Sequence, residues 1–522
     1  MESKAVVIFL VVVGQLATIG LGANILYISS VASPSHFLWS QVLFERLAEV
    51  GHNVTVVNLY KDGLIRGVHL LKLDGVIDDL ALTEVEDDYV EFGQLNAFEM
   101  HMAFAELELH VCEIAVQSKG FKRLLGDSKN LHVDLVIHDH LAGPCLLSLL
   151  PIFNYPPLIL ASAYNRISTT SSSLGTMVFP GFIPNQVIDM VEPMSFFQRC
   201  FNFVLFCWEH VFREYIYYPK LDAFITINLN HSASVSSLEK RSLLAILNIC
   251  PILELSEPSY SSVVQAGGLH IKPKNPLPPD LLRTVDMSNN FILLSLGTNV
   301  RSDSLGFKIL RELITALSTL SHITFLWKLD SESGLPVKLP SNVITSAWFP
   351  QSDLLAHPKI RLFITHGGLL SIQEAAWHGV PIVGLPIYAD QFGNVNHMVD
   401  KGIGRRLSIS TMKSHQLIDC INGVMSNKSY KENAIQLSKV LRDRKESPLE
   451  TAIQSIEWVL RNAETSHVWK QTLVNVGFLQ KYSYDVVAVF AGATMLTFIF
   501  SLVVVWNYFR VPLILKNKTK NE

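Results

Sequence analysis

The sequence predicts an α/β protein of two Rossmann-like domains facing a cleft, carried by a C-terminal transmembrane helix. Three observations predict it. Short apolar strand-type runs alternate with amphipathic helical segments on both sides of a passage with prolines at 273, 276, 278 and 279. At 522 residues the chain is too long for one ordinary core, so two domains are expected. Residues 486–506 carry no charge over a length of about 30 Å as a helix, which matches the hydrocarbon core of a bilayer.

The formal net charge of -4 and a charged fraction of 17% provide neither a basic field nor an acidic tail, which argues against a nucleic-acid partner. A mean hydropathy of +0.29 is high for a soluble enzyme and directs attention to the termini. Lys4, the apolar run 5–13 and the small residues 20–23 form the three parts of a signal peptide over residues 1–22, cleaved after Gly22. The alternative is a retained anchor, for which the apolar run is short. Tyr482, Tyr484, Trp506, Tyr508 and Arg510 flank the C-terminal span as interface anchors. With Lys516, Lys518 and Lys520 beyond it, residues 507–522 are expected in the cytosol and the body in the lumen, a single-pass type I arrangement. Lys518 and Lys520 resemble a dilysine retrieval signal and point to the endoplasmic reticulum membrane; a solvated basic tail is the alternative. Sequons at Asn53, Asn230 and Asn427 fit a secretory route. The six cysteines show neither a Cys-x-x-Cys pair nor zinc spacing, so buried thiols are expected, with no disulfide and no metal.

In chain order, residues 24–29 read as a buried strand leading to His36, residues 37–50 as a helix closed by Gly51, and residues 54–58 as the next strand. This β-α-β unit places His36 at the carboxyl edge, where open α/β sheets bind ligands. A variable region with acidic residues at 84–88 follows, then a helical stretch over 92–112. Residues 131–137 form a strand that delivers His138, Asp139 and His140 to the same edge, and strand alternation turns both histidines away from the face of Asp139. Residues 158–161 and 223–227 read as strands. The aromatic stretch 195–218 contains too many polar residues to cross a membrane, and core packing, a substrate pocket and a bilayer-surface helix stay open for it. The domain organisation expected is an N-terminal domain over 23–272, a linker over 273–290, a C-terminal domain over 291–460, and a returning juxtamembrane segment over 461–485.

Beyond the linker the pattern restarts, with strands at 291–296, 323–329 and 343–347 and an amphipathic helix over 303–320. Residues 348–391 then place a strand, a glycine turn, a helix and a second strand within about forty residues, the layout of a nucleotide-binding unit. Gly367 and Gly368 let backbone approach a diphosphate at the start of a helix, whose amides and dipole favour the charge.

Trp348, Pro350, Gln351, Leu354, Leu355, His357 and Pro358, followed by the residues Phe363-Ile364-Thr365-His366-Gly367-Gly368, Glu374, His378-Gly379-Val380-Pro381 and Asp390-Gln391, resemble the UDP-glycosyltransferase family in residue type and spacing. The likeness extends over nearly the whole chain and looks nearest to insect-type membrane members. It implies the glycosyltransferase B fold, with His366, Gly368, Ser371, Ser295 and Thr298 around the diphosphate, Trp348 stacked on uracil and Gln351 on the nucleoside. It further implies Glu374 on the ribose hydroxyls and Asp390 and Gln391 on the donor sugar. His36 takes the position of the family's catalytic base and Asp139 that of its partner carboxylate. The expected reaction is inverting transfer of a hexose to a hydroxyl of a small lipophilic acceptor, with no metal and no cofactor beyond the co-substrate UDP-sugar. UDP-glucose is the favoured donor and UDP-glucuronate the next, since the sequence identifies no basic partner for a sugar carboxylate. A noncatalytic luminal binding protein on the same scaffold is the competing reading, and the presence of both His36 and Asp139 argues against it. A homo-oligomer is allowed and not specified. Two departures from the family pattern stand out: Leu370 where many relatives carry Asn, and residues 242–255, which read as an insertion with no counterpart.

Overall fold

The computed structural model describes residues 22–518 apart from 79–91, 142, 166, 191, 230–231, 255–257 and 471. The signal-peptide stretch 1–21, the acidic run at 84–88, the Asn230 sequon and residues 519–522 lie outside the described residues. Among the described residues, eight strands form the first sheet: β1 (Asn24–Ser29), β2 (Asn53–Asn58), β3 (Gly63–Ile65), β4 (Val68–Lys72), β5 (Leu135–Asp139), β6 (Leu158–Ser162), β7 (Ser242–Leu247) and β8 (Val263–Gln265). Their order is β3-β4-β2-β1-β5-β6-β7-β8, parallel except for the β3–β4 pair. The second sheet holds β9 (Phe291–Ser295), β10 (Thr324–Lys328), β11 (Val343–Ser346), β12 (Ile360–Thr365), β13 (Ile382–Gly384) and β14 (Gly404–Arg406), all parallel, in the order β11-β10-β9-β12-β13-β14. Helices cover both faces of each sheet, so the strands are apolar on both sides: Ile25 and Tyr27 enter one core of the first domain, Leu26 and Ile28 the other.

In both sheets the strand order reverses beside the first strand. The chain runs from β1 outward through β2 and then returns to lay β5 against the other side of β1; β9, β10 and β12 repeat the manoeuvre. Each reversal opens a crevice at the carboxyl ends of the strands, where the ligands of open α/β sheets sit.

Four local readings are corrected by the structure. Residues 223–227 lie inside a helix, Tyr218–Leu229, not a strand. Their β-branched composition favours a strand locally, but Leu221 and Ile225, one turn apart, are both buried against the first core. Residues 242–247 are no insertion: they form β7, a fully buried strand between β6 and β8. Cys112 and Cys145 are joined in a disulfide, contrary to the expectation of free thiols. It ties the helix Ala97–Gln117 to the turn after β5, across 33 residues of sequence, and a loop of that size implies stabilisation of about 4 kcal/mol. His36 belongs to the first turn of a helix, α1 (Pro34–Glu49), and not to the end of a strand. Pro34 starts the helix early because its fixed φ and missing N–H suit the first helical position.

The chain crosses back to the first domain ahead of residue 461. Helix Pro448–Asn462 packs Ala452, Ile453, Ile456 and Val459 into the N-terminal core, and Glu450 pairs with Arg46 at 2.9 Å. In the aromatic helix Phe196–Phe212, Leu205 and Phe206 are buried while Phe196 and Phe197 are exposed, so core packing accounts for only one face. Phe203 and Phe206 meet Tyr484 and Phe478 of the segment that leads to the C-terminal helix. Tyr484–Tyr508 is the one helix among the described residues long and apolar enough to cross a membrane.

Candidate active site

The N-terminal half of the site is built at the β1/β5 reversal. β1 ends at Ser29, the chain turns at Ser33 and Pro34, and α1 carries His36 into the crevice; β5 ends on Asp139 beside it. Both side chains are buried, and His36 Nδ1 lies 3.7 Å from Asp139 Oδ2, an ion-pair distance longer than a hydrogen bond. Among the described residues neither Asp139 oxygen has a hydrogen-bond partner, so this carboxylate has its His36 contact as its nearest compensation. His138 and His140 flank it in sequence. Burial pushes both imidazoles down to about 4, helped at His138 by His140 and at His140 by Arg213, so neither carries charge near neutrality.

The C-terminal half forms at the β9/β12 reversal. Gly367 has φ +91, and a Cβ there would lie 2.4 Å from Val395, so only glycine permits the turn. Gly368 caps the helix Leu369–Trp377 at its N-terminus, where unpaired amides and the dipole favour an anion. His366 is held between two glycines: a Cβ on Gly297 would come within 2.6 Å of its ring and one on Gly368 within 2.5 Å. Burial, reinforced by the charge of Lys328, pushes this imidazole down to about 4, so it is neutral and can donate from one nitrogen. Ser295 ends β9 and accepts from Gly297 N–H at 3.4 Å; Thr298 follows in the same turn.

Gln351, Ser371 and Glu374 are brought together. Gln351 Nε2 donates to Ser371 Oγ at 3.0 Å and to Glu374 Oε2 at 2.6 Å. Trp348 stands at the edge with 58% of its surface exposed, an indole face free for stacking. Gln391 is partly committed: its Oε1 accepts from the N–H groups of Ile387 and Tyr388, which leaves its amide NH2 for a ligand. Asp390 accepts from Asn394 Nδ2 at 2.7 Å through one oxygen and from Tyr164 at 2.9 Å through the other. Its carboxyl is raised by burial, against the lowering effect of those two bonds.

The two halves meet across the cleft. Ser33, at the start of α1, donates to Asn299 Oδ1 at 2.9 Å, Gly268 N–H donates to Gln373 Oε1 at 3.0 Å, and His270 meets the carbonyl of Leu370 at 3.3 Å. Leu370, the departure from the family pattern, thus serves the interface through its backbone. Sequence reasoning missed Gly297, Asn299, Asn394 and Tyr164. Gly297 was legible, since it stands in the turn after β9; the other three matter through contacts 27 to 266 residues away in sequence. Among the described residues no three of His, Cys, Asp and Glu gather as a metal site.

Withdrawal from water pushes Glu374 up to about 7, with Asp353 adding to the rise and the Gln351 bond opposing it. A raised carboxyl is neutral below that pH and charged above it. If it accepts from ribose hydroxyls, affinity for uridine is greatest above pH 7 and falls about three- to tenfold by pH 6, since a charged acceptor binds hydroxyls more strongly. His366, held near 4, stays outside that window. Titration calorimetry with uridine between pH 6 and 8 checks this, and Glu374→Gln should flatten the profile; a flat wild-type profile contradicts it.

Residues 27–520 match the model of a family described as UDP-glucoronosyl and UDP-glucosyl transferase. Human UDP-glucuronosyltransferase 2B17 is 28% identical over 490 residues, covering 90% of both chains. UDP-glucuronosyltransferase 2B9 of Macaca fascicularis is 29% identical, again over 90% of both. Among solved structures, the spinosyn forosaminyltransferase SpnP aligns with a TM-score of 0.56 at 18% identity, over 84% of this chain and 100% of that one. The calicheamicin glycosyltransferase CalG4 aligns at 0.54 and 16%, over 85% and 99%; at such identities both show the fold alone. With the family model spanning nearly the whole chain and both crevices built as described, the chain belongs to the UDP-glucuronosyl and UDP-glucosyl transferase family and is a UDP-glycosyltransferase of the glycosyltransferase B fold.

Proposed function

We propose that the protein transfers a hexose from a UDP-sugar, UDP-glucose by preference, to a hydroxyl of a small lipophilic acceptor, with inversion at the anomeric carbon. One observation carries the reading: the buried His36–Asp139 pair stands beside Tyr164, whose hydroxyl reaches Asp390, and Asn394 joins Asp390 to the glycine turn. His36 takes the acceptor proton as the hydroxyl oxygen attacks the anomeric carbon, and the bond from that carbon to the UDP oxygen breaks. Asp139 orients the ring and stabilises the imidazolium, the 3.7 Å spacing tightening as charge develops. A single displacement turns an α-linked donor into a β-glycoside.

On the donor side His366, Ser371, Ser295, Thr298 and the amides at Gly368 hold the diphosphate, Trp348 stacks on uracil, Gln351 meets the nucleoside and Glu374 the ribose. Asp390 and the amide of Gln391 take the sugar. No further cofactor or metal enters this reading, because the helix N-terminus and the neutral donors around it meet the diphosphate charge. The hydrogen-bond donors on Asp390 are the neutral groups of Tyr164 and Asn394, which suits a neutral hexose. The names of the relatives, UDP-glucuronosyltransferases, favour UDP-glucuronate as the second reading. The site is held in the lumen of the endoplasmic reticulum by the span Tyr484–Tyr508, with Arg510 and the lysines beyond it on the cytosolic side.

Mass spectrometry of products from microsomes offered UDP-glucose and UDP-glucuronate together with a panel of phenols and steroids tests this. The expected products are neutral hexosides. Carboxylated adducts alone select the second reading, and no adduct from either donor overturns both.

A further inference from the structure

Tyr164 lies just beyond the end of β6, outside every motif that marks the site. Its ring stacks on the His36 imidazole, with centroids 5.6 Å apart and planes at 29°. Its hydroxyl crosses the cleft and donates to Asp390 Oδ1 at 2.9 Å. The backbone around it is pinned: Tyr164 N–H donates to Ser162 Oγ at 3.1 Å, its carbonyl accepts from Asn248 N–H at 3.0 Å, and Asn248 Nδ2 donates to the carbonyl of Ala163 at 2.8 Å. Asp390 is held as firmly from its own domain, because Asn394 Nδ2 donates both to Asp390 Oδ2 and, at 3.0 Å, to the carbonyl of Gly367. Ala389, immediately before it, has φ +53, a left-handed conformation that a buried non-glycine residue keeps only where its surroundings enforce it. One path of contacts therefore runs from the candidate base through Tyr164, Asp390 and Asn394 to the glycine turn.

We infer that Tyr164 is a positioning residue for sugar transfer, setting the distance and orientation between His36 in one domain and Asp390 in the other. The inference rests on the reading of His36 as the base and Asp390 as a ligand of the donor sugar. A phenol suits the task. Burial and the neighbouring Asp390 charge push its ionisation upward, so it stays a donor throughout the working range. A carboxylate offers about four acceptor positions, so Asp390 can hold a sugar hydroxyl while Tyr164 keeps its bond. The ring itself sets one wall against His36, which limits where the imidazole can swing as it receives a proton.

The test uses the full-length protein in its membrane. Tyr164→Phe keeps the stack on His36 and removes only the cross-cleft bond. The expected result is a fall in kcat of about ten- to a hundredfold, as for loss of a hydrogen bond to a charged group, with UDP affinity within twofold of the wild type. In an Asp390→Asn background the same change should cost less than twofold, because the tyrosine acts through that carboxylate. A kcat within twofold of the wild type for Tyr164→Phe overturns the proposal. So does a parallel loss of UDP affinity, which marks a structural role, or an equal fall in both backgrounds. Retained turnover in His36→Ala removes the reading beneath it instead, and so distinguishes the two failures.

Discussion

Replacing His36 with alanine abolishes sugar transfer and leaves UDP binding in place. The acceptor hydroxyl is a poor nucleophile until its proton is taken, and a positioned general base contributes about a hundred- to ten-thousandfold to such a step. His36 is the imidazole that lies 3.7 Å from Asp139 Oδ2; His138 and His140, the nearest alternatives in sequence, are held near 4 and so are weak bases. UDP affinity should change little, because the residues assigned to the nucleotide and diphosphate belong to the other domain, from Ser295 to Glu374. The expected loss in kcat is about a thousandfold or more in steady-state product formation, with UDP affinity by calorimetry within twofold of the wild type. Undiminished turnover would sink the assigned mechanism.

The second large effect is expected at a glycine. Gly297 has φ +90, and a Cβ on it would meet the His366 ring at 2.6 Å. The ring cannot retreat, since the corresponding position on Gly368 lies 2.5 Å from its Nε2. Gly297→Ala must therefore move His366 or the turn after β9, and both belong to the diphosphate cradle. We expect UDP affinity to fall by about tenfold or more, together with a stability cost of about 1–3 kcal/mol for the strained backbone. Gly306→Ala separates the two causes. That glycine also has positive φ, at +79, but a Cβ there meets nothing within 4 Å. Its substitution should cost stability without weakening UDP binding. Equal UDP affinity in the wild type and Gly297→Ala, measured by titration, would contradict the proposed cradle.

Much of the site was legible because its residues are local to one another. The segment from Trp348 to Gln391 carries its own strand, turn and helix, and its polar groups stand at the turn after a strand or on the helix that follows it. The order of types along the chain therefore already implies their neighbourhood in space. His36 and Asp139 were legible for a related reason: both come at or just after strand-type runs, and parallel strands bring the residues at their carboxyl ends to a common edge. Less legible were features whose cause lies elsewhere in the fold. Residues 223–227 have strand propensity and form a helix because that helix buries Leu221 and Ile225 on one face. Residues 242–247 looked foreign as a sequence, yet the sheet has a place for them between β6 and β8. The disulfide depends on a Cα separation of 6.1 Å between a helix and a turn that no spacing rule relates.

The sequence by itself determined the class of fold, the family, the glycine turn and the residues at the strand ends, because strand alternation, helix periodicity and turn chemistry act over a few residues. Only the tertiary structure decided which groups face one another within each domain and across the cleft. Tyr164 meets His36 and Asp390, Ser33 meets Asn299, and His366 is gripped between Gly297 and Gly368, mostly through contacts that span tens to hundreds of residues. Such contacts come from how strands and helices pack within each domain and how the two domains meet, and local propensity carries no record of that packing.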